Sequence, residues 1–377
     1  MAIFKVNQAT DNGLGDTEGT LSWAIFEANK DPAAATIVLE TNVTIEGVMK
    51  RLINSDITIT GDDPDTPEIE TATISGGDKF RPLFVKSGTV NLNNLTLTEG
   101  KALGGSSNRG GGGAGMGGAL FIYDGTVTIE NAQFTNNTAQ GGRGGVAGLG
   151  FGGGGMFGDA GGDGGGGLFG GSGVDGFGGY GGFGDYGGFG GGFGGFGGGG
   201  GGVGGVGGFG GGGGFGGFGG FGGGGGYGRG GGYGGGFGRG FGGAGFGGAI
   251  FIRSGRLSIS DTSFSDNSTT GGTGANQGQG LGGAIFAMKS TTNTNGNHQG
   301  MPSDLPVVQL GNVSFTSNSA ANADGTAPAD GVGEDQNNND IFGTIGTFIT
   351  EVTVPNDQTY GIGQELEFTV TFSEAVT

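Results

Sequence analysis

Four copies of one 23-residue pattern follow one another along this chain. The second reads GGALFIYDGTVTIENAQFTNNTA (117–139) and the third GGAIFIRSGRLSISDTSFSDNST (247–269). A fourth, GGAIF followed by VVQLGNVSFTSNSA, is split by a 16-residue insertion at 291–306, and a degenerate first copy, FRPLFVKSGTVNLNNLTLTEGKA, occupies 80–102. A unit this short cannot bury an apolar face by itself, whereas stacked neighbours can. Self-similarity at this period therefore predicts a solenoid.

Within each copy the apolar residues alternate, which is the period of a strand. Val127, Ile129, Phe134, Leu257, Ile259, Phe264, Leu310 and Phe315 are expected to stack inward. The segments are short and rich in Val, Ile, Thr and Phe, and no helical period runs through them. Gly88, Gly125 and Gly255 precede strands at one repeat position, where a tight corner calls for positive φ. Together these features predict the turn of a parallel β-helix, each turn adding about 4.8 Å. Asn137, Asn267 and Asn318 each follow the inward aromatic by three residues. Their constant offset favours a stacked amide ladder at a turn over a surface row that binds sugar.

The GGA[IL] opening followed by FxxN resembles the repeat of polymorphic outer-membrane proteins and related bacterial surface β-helix proteins. The run ITITGDDPDTPEIETATISGGDKFRPLFVKSGTVNLNNLTLTEG (57–100) and the start VNQATDNGLGDTEGTLSWAIFEANKDPAAATIVL (6–39) look like early turns of the same class. The resemblance covers about 1–140 and 247–345. It implies an all-β, right-handed parallel β-helix over 1–345 and a surface location, and it implies no catalytic activity. Family members usually carry a Leu-Arg pair in the first short helix, where this chain has Leu21-Ser22-Trp23. Leu21, Ala24, Ile25 and Ala28 share one helical face, and Thr20 suits its N-cap. Such a helix would cap the open first strand, with Trp23 and Phe26 in the cap. A sugar stacking on Trp23 is the alternative.

Between the second and third copies lies a glycine-rich insertion, 140–246, punctuated by Phe, Tyr and a few Val. Glycine has the most backbone entropy to lose and no side chain to bury, so a flexible, looped-out segment is expected. The spacing of GGF and GGY looks too irregular for an ordered bundle of polyproline-II-like strands. Loop closure permits the insertion, since growing to this length adds only about 1.8 kcal/mol. The stretches 103–116 and 270–281 fall at equivalent junctions, so all three are expected to leave at one corner. The aromatics could also make weak multivalent contacts with other chains. Frequent GxGxxG matches follow from composition and identify no phosphate loop.

The chain carries 34 Asp and Glu against 15 Lys and Arg, a formal charge of −19, which is the wrong balance for nucleic acid. It has no apolar run long enough to span a membrane as a helix, and MAIFKVNQATD does not read as a cleavable signal peptide. Absent cysteine excludes disulfides and thiolate metal sites. His298 stands in the polar insertion without a second histidine to share zinc, and reads as a solvated loop residue. Asp62, Asp63 and Asp65, and likewise Asp261 and Asp266, lack the stacked spacing that would build a two-carboxylate cleft. Asp330, Glu334, Asp335 and Asp340 could offer oxygen ligands to calcium, but their spacing matches no calcium loop. No catalytic, cofactor or metal residue is therefore assigned.

From 346 to 377 the pattern changes to alternating apolar residues around a PND turn, resembling the opening strands of bacterial Ig-like or cadherin-like modules. An export signal is then expected beyond Thr377. The function expected of the whole is a non-enzymatic, extracellular or cell-surface, adhesin-like scaffold. Its partners would be cell-surface glycans or other copies of the chain. The competing class is a glycan-active β-helix enzyme, either a polysaccharide lyase or a glycoside hydrolase.

Overall fold

The protein is described by a computed structural model covering residues 2–31, 33–62, 71–145, 152–156, 160, 166–167, 197–226, 229–233, 235, 237–238, 240–321, 338–345, 349–353 and 369–372. The fold is all-β with long parallel sheets, and Leu21–Ala28 is the one α-helix among these residues. Equivalent positions of successive repeats pair directly. Val90, Val127, Leu257 and Val308 lie opposite one another across four strands, and so do Leu92, Ile129, Ile259 and Leu310. A second run aligns Leu97, Phe134, Phe264 and Phe315. A third aligns Leu83, Leu120, Ile250, Ile285 and Ile341.

The expected inward positions form the main core. Val127, Ile129, Phe134, Leu257, Ile259 and Phe264 are buried, while Leu310 and Phe315, in the last of the described repeats, are half-buried and packed against it. The rings of Phe134, Phe264 and Phe315 stack at 4.9 and 5.2 Å between centroids. Gly88, Gly125 and Gly255 have φ of 100°, 109° and 89°, the conformation that their place before each strand calls for.

The helix Leu21–Ala28 forms where the sequence indicates. The Thr20 hydroxyl accepts the Trp23 backbone N–H at 3.3 Å, and Leu21, Ala24, Ile25 and Ala28 join the core. Ser22 is buried. Its hydroxyl donates to Asp11 Oδ1 at 2.6 Å, and its backbone N–H donates to Asp11 Oδ2. A serine fits there because the buried carboxylate of Asp11 needs donors.

The strand Ile250–Ile252 and its neighbours differ from the alternating strands in being buried on both faces. Their outward ring column, Phe84, Phe121, Phe251, Phe286 and Phe342, stacks at 4.6, 4.9, 5.3 and 5.1 Å. It belongs to a second core, completed by Phe209 and Phe221 of the glycine tract. Phe209 meets Phe251 edge-on at 6.1 Å, and Phe221 meets Phe286 in the same way at 6.2 Å.

The tract is therefore not looped out over its described length: it lies against the stacked repeats and covers one of their faces. Its order comes from a 12-residue period, FGGGGGFGGFGG (209–220) followed by FGGGGGYGRGGG (221–232). Phe209, Phe221 and Tyr233 stack at 5.1 and 5.4 Å. Backbone bonds repeat with them, including Gly210 N–H to Phe221 O at 2.9 Å and Gly222 N–H to Tyr233 O at 3.0 Å. Neighbouring backbones approach so closely that a Cβ on Gly211 or Gly223 would lie 2.0 Å from a carbonyl oxygen. Glycine is thus needed for contact between chains, and the tight backbone pairing offsets the entropy that a flexible reading assigns to it. The stretches at the equivalent junctions meet there as expected: Gly112 N–H donates to Phe241 O, Gly243 N–H to Gly142 O and Gly272 N–H to Gly243 O.

The insertion at 291–306 fastens this layer. Asn295 and Asn297 donate through Nδ2 to the carbonyls of Gly219 and Gly207, each at 2.7 Å, and Asn293 Oδ1 accepts the Tyr233 N–H at 2.8 Å. Gly207 and Gly219 are 12 residues apart, so alternate asparagines read the period of the tract. Arg253 ties the parts together: its guanidinium lies 4.2 Å from the Tyr123 ring centroid, and Nε donates to Gly300 O at 2.8 Å. Arg81 is fully enclosed and donates to the carbonyls of Met116 and Gly117. Burial lowers its pKa to about 9. The strands Ile349–Thr353 and Thr369–Phe372 pair antiparallel; the other residues of 346–377 lie outside the described residues.

Two outcomes test this packing. Phe264→Ala should lower unfolding free energy by about 3–5 kcal/mol in denaturant titrations, since it empties the centre of a stacked column. Deleting 146–240 should uncover the outer column of phenylalanines, giving increased binding of a hydrophobic dye and a lower melting temperature. An unchanged melting temperature with no added dye binding would refute the covering role of the tract.

Candidate functional site

The asparagine column is internal. Asn137 and Asn267 are fully buried and Asn318 nearly so. Asn137 Nδ2 donates to Asn267 Oδ1, Asn267 Nδ2 to Asn318 Oδ1, and Asn318 Nδ2 to Asp340 Oδ1, each at 2.9 Å. The second hydrogen of each amide goes to the carbonyl of Leu97, Phe134 or Phe264. The backbone N–H of Asn137 and that of Asn267 also donate to the next amide oxygen, so all four capacities of the Asn267 amide are used. The ladder begins at Gly100, whose N–H donates to Asn137 Oδ1 and whose missing side chain leaves room for it. It ends on Asp340, a carboxylate that only accepts. That residue, weighed above as a calcium ligand, here terminates the ladder; Asp330, Glu334 and Asp335 lie outside the described residues.

The candidate carboxylates of the third repeat have a local structural role. Asp261 shares a corner column with Asn94, Asn131 and Asn312, all in the left-handed region with φ near 50°. Asp266 shares a second with Glu99, Asn136 and Ser317, again all left-handed. Asp and Asn tolerate that conformation better than other residues with a side chain, which accounts for their recurrence without invoking chemistry. Asp62 is part-buried, its N–H bonded to the Thr60 hydroxyl, and Asp63 and Asp65 lie outside the described residues. His298 is exposed, and its Nδ1 accepts the Asn293 N–H at 3.0 Å. Among the described residues, no group of three or more His, Asp or Glu side chains is placed to hold a metal. Nor is any helix among them long and apolar enough to cross a membrane.

Two outward hollows lie among the described residues. At the first end of the sheet, Ile3, Phe4, Lys5, Asn7, Glu18, Gly19 and Trp23 line a depression of about 550 Å³. Trp23 is half-buried there and meets Phe4 edge-on at 6.1 Å, so the ring belongs to the end packing as expected. The second is a groove of about 430 Å³ at the first corner column, lined by Asn131, Gln133, Asp261, Ser263, Asn312 and Ser314 over buried Ala132 and Thr262. Asn312 Nδ2 donates to Asp261 Oδ1 at 2.5 Å. Gln133, Ser263 and Ser314 are paired in register across three strands. Next to them run hydroxyls that also bond one another, such as Thr135 to Thr98 at 2.9 Å and Thr138 with Ser268 at 3.2 Å. Sequence reading missed this groove because its residues appear as ordinary turn residues. The available signal was that the same turn position is polar in every copy.

No known protein family, curated protein or solved structure matches the chain.

The ladder gives a sharp expectation. Asn267→Ala would leave the Asn137 amide, its backbone N–H and the Phe134 carbonyl buried without their partner, lowering stability by about 3 kcal/mol or more. Chemical denaturation compared with an exposed Thr126→Ala control measures it; equal stability of the two variants would refute the ladder.

Proposed function

We propose that this chain is a right-handed parallel β-helix of the kind found in polymorphic outer-membrane proteins, acting as a non-enzymatic, adhesin-like scaffold at a cell surface. The supporting observation is the in-register stacking of repeats over a continuous buried amide ladder, which gives a stiff body with a repeating exterior. Asp261 and Asp266 are accounted for by the corners, and Asp340 by the end of the ladder. The acidic surface keeps such a body soluble and apart from other polyanions. The glycine layer thickens it on one side. The strand pattern after residue 346, with its antiparallel pair, suits a surface protein in which the β-helix is a display segment.

Labelling intact cells that make the whole protein, with an antibody to the 23-residue repeats, tests the location, and label is expected without lysis. Incubation of the purified chain with polygalacturonate and with neutral polysaccharides tests the chemistry, and no new reducing ends or unsaturated products are expected. Product release that grows with enzyme concentration would replace the scaffold with a glycan-active enzyme, and label seen only after lysis would overturn the surface role.

A further inference from the structure

The geometry points to the corner groove as a binding site for a linear, uncharged glycan laid along the stacking direction, across the repeats. This rests on the scaffold reading above and names what the scaffold would hold. Two columns line the groove: Asn131, Asp261 and Asn312 on the corner, and Gln133, Ser263 and Ser314 on the following strands. Successive members of a column are separated by the spacing of neighbouring strands, about 4.8 Å. A ligand that fits must therefore offer hydrogen-bonding groups on two edges, repeating at a similar short interval. A chain of sugars has this form.

Other polymers fit less well. An extended peptide that adds to a sheet uses main-chain bonds along an open strand edge. Here the groove crosses strands that are already paired with one another, Gln133–Thr135 with Arg256–Ser265 and the latter with Val307–Thr316. Nucleic acids and acidic glycans need cations. Asp261 is the single charged residue lining the groove, exposed Glu130 lies beside Asn131, and the chain's net charge is −19. The lining contains no aromatic platform. Affinity must therefore come from many exchangeable hydrogen bonds and grow with ligand length.

The test uses the full chain with cello- and chito-oligosaccharides from disaccharide to hexasaccharide, and oligogalacturonates of the same lengths, in calorimetric titrations. Affinity for a neutral series should climb with length and level off once the ligand outreaches the three repeats. Oligogalacturonates should bind at least about tenfold more weakly. Ser263→Arg, in the middle of the groove, should weaken the neutral ligand by at least about tenfold. Thr128→Arg, outward on the adjacent strand of the preceding repeat, should leave it unchanged, and Asp261→Asn should narrow the gap between neutral and acidic ligands. Matched unfolding curves confirm that each variant is folded. Absence of saturable binding by both neutral series, preference for oligogalacturonate, or equal loss in both arginine variants would overturn the proposal. Surface labelling is independent of these titrations: a surface-exposed chain that binds no neutral glycan loses this site and keeps the scaffold reading.

Discussion

A buried carboxamide has two hydrogens and two lone-pair positions that water can no longer satisfy, and the stacked repeats are built around meeting that demand. Placing Asn137, Asn267 and Asn318 one strand spacing apart lets each amide donate to the next and to a carbonyl of the preceding repeat. A slip of one residue would break every one of these bonds together and turn the alternating core outward. The ladder thereby sets the register that stacks Phe134 on Phe264 and holds the left-handed corners in columns. It is directional, with every amide donating toward the later repeats, and the Asp340 carboxylate is a chemically apt final acceptor for such a polarised chain.

The glycine tract solves a different problem. Three consecutive buried apolar positions in Leu120–Ile122, Ile250–Ile252 and Ile285–Ala287 leave a wall of phenylalanines facing away from the main core. Something must cover it. A layer of glycine backbones is thin, satisfies its own peptide groups by pairing with neighbours, and brings one large aromatic to the wall at each 12-residue interval. The asparagines of the 291–306 insertion then bind the outer carbonyls of that layer, so two stretches that look like unrelated low-complexity sequence form one unit.

Much of the fold was legible in the sequence. The repeats, the strand alternation, the capped helix at Leu21–Ala28, the glycine corners and the internal nature of the asparagine column all follow from local periodicity, because each depends on residues close together in the chain or on one position recurring. The order of the glycine tract is not evident from local sequence, although two signals are present. Apolar runs such as Ala-Ile-Phe-Ile lack the alternation of a half-exposed strand and so announce burial on both faces, and FGGGGG returns after 12 residues. The first identifies the surface to be covered and the second its cover, but neither suggests the other when read alone.

The sequence by itself determined the all-β repeat and which side chains face the core, since a two-residue period and a fixed repeat length leave one way to bury them. The tertiary structure decided what lies outside. The covering of the Phe121–Phe251–Phe286 wall, the clamp by Asn295 and Asn297, and the groove at Asn131, Asp261 and Asn312 join residues far apart in the chain, and their register is fixed only when the repeats stack.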